Sequence, residues 1–203
     1  MKRRDLIRGA ATVIPASIAL QMLGAKWAFA QEQGDFDGPV DVLNYALTLE
    51  YLEAEFYRQG NAANLLTGKP ADYLATVQSD EEAHVMVITE TIGKLGGDPV
   101  PAPAVDFGQA FASADSYLET AFTFENLGVQ AYLGAAPSLF QEKELLTAAA
   151  SIFGVEARHA AIIAQLQGKP AEGGVYMGAF ETAKSRDDVL AAASPFIVST
   201  VTR

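Results

Sequence analysis

The chain has 203 residues, half of them apolar, no cysteine and a net charge of −11. That length and apolar content suit a domain with a buried core, and the acidic balance argues against nucleic acid, whose phosphates call for a basic surface. The lack of cysteine excludes disulfides, thiolate catalysis, zinc knuckles and iron–sulfur clusters. Any metal must then be held by oxygen and imidazole donors, which favours iron, manganese or another octahedral metal over structural zinc.

Residues 1–30 read as an address. Lys2, Arg3 and Arg4 form a basic head, Ala11 to Ala25 is mildly apolar, and Ala28-Phe29-Ala30 is an A-x-A cleavage signature before Gln31. Pro15, Ser17, Gln21 and Gly24 dilute the apolar run, so no stable membrane anchor is expected after cleavage. Arg3-Arg4 followed by Asp5-Leu6-Ile7-Arg8 resembles a twin-arginine signal. That resemblance implies a periplasmic or otherwise exported protein that leaves the cytoplasm folded; an ordinary secretory signal is the alternative. Cleavage removes five basic residues and one acidic residue, taking the charge from −11 to −15.

From Val42 the apolar spacing turns helical, after Asp37 as a candidate cap and Pro39 as an opening residue. Leu43, Ala46, Leu47, Glu50, Ala54 and Tyr57 share a face, and Gly60-Asn61 reads as the stop. Pro70 opens a second helix with an inner stripe of Leu74, Val77, Glu81, His84, Val85, Ile88 and Leu95, stopped at Gly96-Gly97. Pro99, Pro101 and Pro103 make residues 98–108 an extended connection. Ser113 or Asp115 caps a third helix, whose stripe runs Leu118, Ala121, Phe122, Glu125, Val129 and Tyr132 and ends at Gly134 to Pro137. A fourth helix, from about Glu142 to Gln167, aligns Ala149, Ile152, Glu156, His159, Ala160, Ile163 and Leu166. Residues 170–203 read as an extension packing on the bundle, with a short helix over Asp187 to Phe196 interrupted at Pro195.

The two histidines of the chain each follow a glutamate by three residues, as Glu81-x-x-His84 and Glu156-x-x-His159. Glu50 and Glu125 each lie 31 residues before the glutamate of a pair. The differences 125 − 50, 156 − 81 and 159 − 84 are all 75, and Leu43/Leu118, Ala46/Ala121, Thr48/Thr123, Leu52/Leu127, Tyr57/Tyr132 and Ile88/Ile163 match across the same shift. The chain from 31 to 169 is therefore expected to be all-α: a four-helix bundle made of two copies of a helical hairpin, joined by a long crossover.

Positions three apart on a helix project to nearly the same side, so each Glu-x-x-His offers a carboxylate and an imidazole to one point. Two facing hairpins bring four carboxylates and two imidazoles together. Two divalent cations balance four carboxylates, which otherwise hold protons because like charges at that range raise their pKa values. The same shift pairs Glu53 with Gly128, Glu82 with Ala157 and Glu90 with Gln165, and these are not expected to be donors. Glu50, Glu81, His84, Glu125, Glu156 and His159 are the candidate metal ligands. Tyr57 and Tyr132, two turns beyond Glu50 and Glu125, are candidates to hydrogen-bond those carboxylates or to carry an electron.

This donor set resembles the ferritin-like di-metal carboxylate bundles, in which two helices give one Glu each and two give a Glu-x-x-His. Leu49-Glu50-Tyr51-Leu52-Glu53-Ala54-Glu55-Phe56-Tyr57 and Val155-Glu156-Ala157-Arg158-His159 are most similar to exported bacterial ferritin-like proteins related to desiccation-associated ones. The resemblance implies two iron or two manganese ions per chain, with Glu81 and Glu156 as bridges. It also implies redox handling of dioxygen or hydrogen peroxide, as a ferroxidase, peroxidase or catalase-like enzyme. A non-enzymatic stress-related or metal-sequestering role is the alternative, and a homo-oligomer stays open.

Overall fold

The computed structural model describes residues 36–176 and 178–198; the leader read at residues 1–30, with its cleavage site, lies outside them. Four long helices carry the fold, α1 (Pro39–Ala62), α2 (Lys69–Lys94), α3 (Ala114–Ala135) and α4 (Lys143–Leu166), followed by a short α5 (Arg186–Ala193). The main packing partners are α1 with α2 and α3 with α4. This is the all-α four-helix bundle of two hairpins expected from the repeat. Among the described residues there are isolated β-bridges but no strands.

The helix starts follow local chemistry. Proline sits in the first turn of α1 and of α2, where its missing N–H would have had no partner. Ser113 caps α3 and forms a reciprocal capping box with Ser116. Asp37 does not cap α1. The capping position is Gly38, with no side-chain bond, and the Asp37 N–H donates to Asp41 Oδ2 at 3.1 Å. Two glycines expected to stop helices lie inside them. Gly60 leaves room for the Tyr117 ring, which an added Cβ would meet at 2.2 Å, and Gly134 for the Lys184 carbonyl oxygen, which one would meet at 1.9 Å. Their role is close approach, which local sequence does not reveal.

Two apolar clusters surround a polar middle. One gathers Leu52, Phe56, Tyr57, Leu74, Val77, Leu118, Ala121, Phe124 and Ile163. The other gathers Ala46, Leu47, Ile88, Ile92 and Ile152, with Tyr132 against it. The first also takes in Val42, Tyr45, Leu49, Ala131 and Ala135, so along α1 and α3 it lies on both sides of the candidate glutamate, while Glu81 of α2 and Glu156 of α4 fall between residues of different clusters. The inner stripe of α2 ends in Ile92, fully buried, and not in Leu95, which is 47% exposed; α2 stops at Lys94 and Leu95 no longer faces the core.

The crossover and the C-terminal segment hold each other. Val105 bridges Ile197 antiparallel, with Asp106 N–H donating to the Phe196 carbonyl at 3.0 Å and Val198 N–H to that of Ala104 at 2.8 Å. Phe196 stacks edge-on against Phe124 at 4.8 Å. Arg186 at the start of α5 makes a two-pronged ion pair with Asp41 in α1, at 2.7 and 3.0 Å.

Candidate metal centre

All six candidate donors converge in the interior of the bundle, surrounded by the apolar residues of the two clusters. Glu50, Glu81, Glu125 and Glu156 are at most 1% exposed, and His84 and His159 are buried. Their donor atoms form two groups, Glu50 with Glu81, His84 and Glu156, and Glu81 with Glu125, Glu156 and His159. Within each group these atoms lie within 4.8 Å of one another, and Glu81 and Glu156 belong to both.

The contacts around the imidazoles show what kind of site this is. His84 Nδ1 lies 3.1 Å from Glu50 Oε2, 3.2 Å from Glu81 Oε2 and 3.3 Å from Glu156 Oε1. One ring nitrogen carries at most one hydrogen and cannot serve three carboxylates. His159 Nδ1 faces Glu81 Oε1 at 2.9 Å and Glu125 Oε2 at 3.2 Å. Yet His159 Nδ1, Glu81 Oε1, Glu125 Oε2 and both Glu156 oxygens are buried with no hydrogen-bond partner, because the approaches lack hydrogen-bond alignment. Lone pairs converging without shared protons are what a cation requires. The donors, oxygen and imidazole only, suit metals of the iron and manganese kind, so the residues fit a dinuclear metal site.

The electrostatics of these side chains agree. Burial raises Glu81 to about 8 against the opposing pull of the His159 and His84 rings. Burial, then the neighbouring Glu81, pushes Glu156 well above the usual carboxylate range. Burial disfavours the imidazolium of His84, but the carboxylates of Glu156, Glu50 and Glu81 outweigh it and raise the ring to about 12. His159 goes the same way, to about 11, through Glu125 and Glu81. Protons therefore occupy the cluster whenever cations do not.

The tyrosines cross between the hairpins. Tyr57 of α1 donates its hydroxyl hydrogen to Glu125 Oε1 of α3, and Tyr132 of α3 donates to Glu50 Oε1 of α1. Each thus fixes the carboxylate on the other hairpin. Burial and the facing glutamate push both phenols well above their ordinary range, so they remain protonated donors.

Two further residues stand beside these donors. Asp80 accepts from the outer nitrogen of His159, Nε2, at 3.1 Å, the type of carboxylate contact that sets the tautomer and direction of a metal-binding imidazole. Glu53, set aside because its mate is Gly128, is 3% exposed and lies beside Glu156. Burial and then the neighbouring Glu156 raise it well above the usual carboxylate range. Its signal in the sequence was the mismatch itself, since a glycine in one hairpin makes room for a glutamate from the other. Glu82 and Glu90 are exposed, as expected for residues outside the site.

Residues 38–169 match the family model of the ferritin-like domain. None of the curated proteins matches the chain. Among solved structures, the chain is similar to ferritin-like, diiron-carboxylate proteins from Bacillus anthracis str. Ames. The likeness has 23% identity and a TM-score of 0.55, covers 63% of this chain and 93% of that one, and shows the fold alone.

Proposed function

The chain belongs to the ferritin-like domain family, and from that premise we propose that it is an exported dinuclear iron or manganese protein that handles dioxygen or hydrogen peroxide. The observation that carries this reading is the pair of four-donor groups sharing Glu81 and Glu156. Glu50 and His84 would hold one ion, Glu125 and His159 the other, with the two shared glutamates between them. When bound, two such ions supply the one-electron changes that together reduce dioxygen or peroxide.

The chain's own residues prepare that chemistry. The two apolar clusters keep water from the donors, which strengthens every interaction inside. Asp80 aims His159, and the crossed tyrosines hold Glu50 and Glu125 in place. Each tyrosine also places a hydroxyl proton at a donor carboxylate, which makes both the proposed carriers of a proton or electron to the bound oxidant. Export rests on the basic head, Arg3-Arg4 and Ala28-Phe29-Ala30, and the acidic charge speaks against nucleic acid as a partner.

The depth of burial favours a second reading, in which the ions serve stability or storage in a non-enzymatic, stress-related protein. Glu81, Glu125 and Glu156 are 0% exposed, as in a closed structural site. The two readings separate on turnover. Protein loaded with ferrous or manganous ions is expected to consume dioxygen or hydrogen peroxide, more slowly in Tyr57→Phe and Tyr132→Phe. Fully loaded protein that consumes neither, yet melts far above the metal-free form, contradicts the redox reading and supports the second.

A further inference from the structure

Glu53 stands on α1 one turn beyond Glu50. It is 3% exposed, and its Oε1 is buried with no hydrogen-bond partner. A buried, unpartnered carboxylate is costly unless something of opposite charge meets it. The surroundings show where that something lies. A Cβ added at Gly128 would stand 3.0 Å from Glu156 Oε2 and 3.4 Å from Glu53 Oε1. Both oxygens therefore border the room that a missing side chain leaves on α3. The Glu156 oxygen there is not the one that faces His84, which is Oε1 at 3.3 Å.

A small cavity of ≈ 10 Å³, enough for about one water, lies at the same place. Its other lining residues, Leu49, Leu52, Phe124 and Leu127, are apolar. They offer Glu53 no partner of opposite charge. The repeat makes this one-sided, because the residue 75 positions after Glu53 is Gly128 itself.

We propose that Glu53 is a seventh protein donor, closing on the ion held by Glu81, Glu125, Glu156 and His159 and making the two ion sites unequal. This rests on the two-ion reading above. That ion then has five protein donors and the other four.

The test is a titration of the metal-free protein with manganous ion in competition with a chromophoric chelator, for wild type, Glu53→Gln and Glu53→Asp. Glu53→Gln keeps the shape and removes the charged donor. It is expected to bind one ion as wild type does and the other about tenfold or more weakly. Its metal-free melting temperature, measured first, is expected to be no lower than wild type, since an unpartnered buried carboxyl has been replaced. Its rise on adding metal is expected to be smaller. Glu53→Asp, one methylene short, is expected to weaken the same ion. Two ions bound at wild-type affinity in Glu53→Gln overturn the proposal. Wild-type affinity in Glu53→Asp also overturns it, because that would leave a charge effect without ligation. Wild type binding fewer than two ions would instead sink the two-ion reading, an outcome distinct from either.

Discussion

The two hairpins, residues 39–94 and 114–166, agree where an ion would be touched and differ one layer further out. Glu50, Glu81 and His84 repeat as Glu125, Glu156 and His159, and the tyrosines repeat and cross. Behind them the symmetry fails. Asp80 supports His159, but the equivalent residue in the second hairpin is Val155, which cannot accept a hydrogen bond from His84; Glu53 faces the glycine that is its own mate. A duplicated scaffold thus keeps its inner donors, while the residues behind them make the halves chemically different. The anchoring differs too. The first hairpin is tied to α5 by Asp41 and Arg186, and the second takes the backbone of Lys184 against Gly134 and Gln130.

The comparison breaks most visibly if shared and unshared donors behave alike. Glu81→Ala and Glu156→Ala each remove an oxygen donor from both groups, and loss of both ions is expected. Glu50→Ala and Glu125→Ala each touch one group, and one retained ion is expected. Metal content after dialysis distinguishes these outcomes. The metal-dependent rise in melting temperature should vanish in the first pair and shrink in the second. The stabilisation at stake is about 2.7 kcal/mol when free metal is a hundred times its dissociation constant.

Asp80 gives a smaller and one-sided effect. Asp80→Ala frees the outer nitrogen of His159 and is expected to weaken one ion by roughly 10–100-fold, the usual consequence of losing such a support. Because Asp80 is half-exposed, with 45% of its side chain accessible, the fold should be unaffected. Equal weakening of both ions in a competition titration would contradict the asymmetry.

Acid reveals a gentler effect. In metal-free protein, His84 and His159 are raised to about 12 and about 11. Their contribution to stability is complete below about pH 6.5 and fades as pH climbs toward those values. Glu81, raised to about 8, acts in the same direction between about pH 4.5 and 8. Metal-free protein should therefore melt progressively lower as pH rises from 5 to 8. The metal-loaded form gains over the same range, because each ion displaces protons from its donors. A gap between loaded and metal-free melting temperatures that stays constant across that range would contradict this account.

Much of this was legible in the residues themselves. Glu-x-x-His places two donors on one helix face by local geometry alone, and the 75-residue shift selected six donors that the fold gathers. The helix order, a cap for α3 at Ser113 or Asp115, of which Ser113 serves, and the crossover at residues 98–108 also follow from local chemistry. What escaped depends on which surfaces meet. Asp80 stands beside Glu81 and Glu82 with nothing local to mark it, and its partner His159 is 79 residues away. Glu53 was set aside by the very glycine that accommodates it. Gly60 and Gly134 read as stops because a glycine's need for close approach shows only when Tyr117 and Lys184 arrive from elsewhere in the chain.

The central claim is that Glu50, Glu81, His84, Glu125, Glu156 and His159 make one centre for two ions. Equilibrium titration of the metal-free protein with ferrous or manganous ion, without oxygen, tests it most directly. Saturation at two ions per chain, falling below one in Glu81→Ala, is the predicted result. Saturation at one ion or none in the wild type, or two ions still bound in Glu81→Ala, would contradict it.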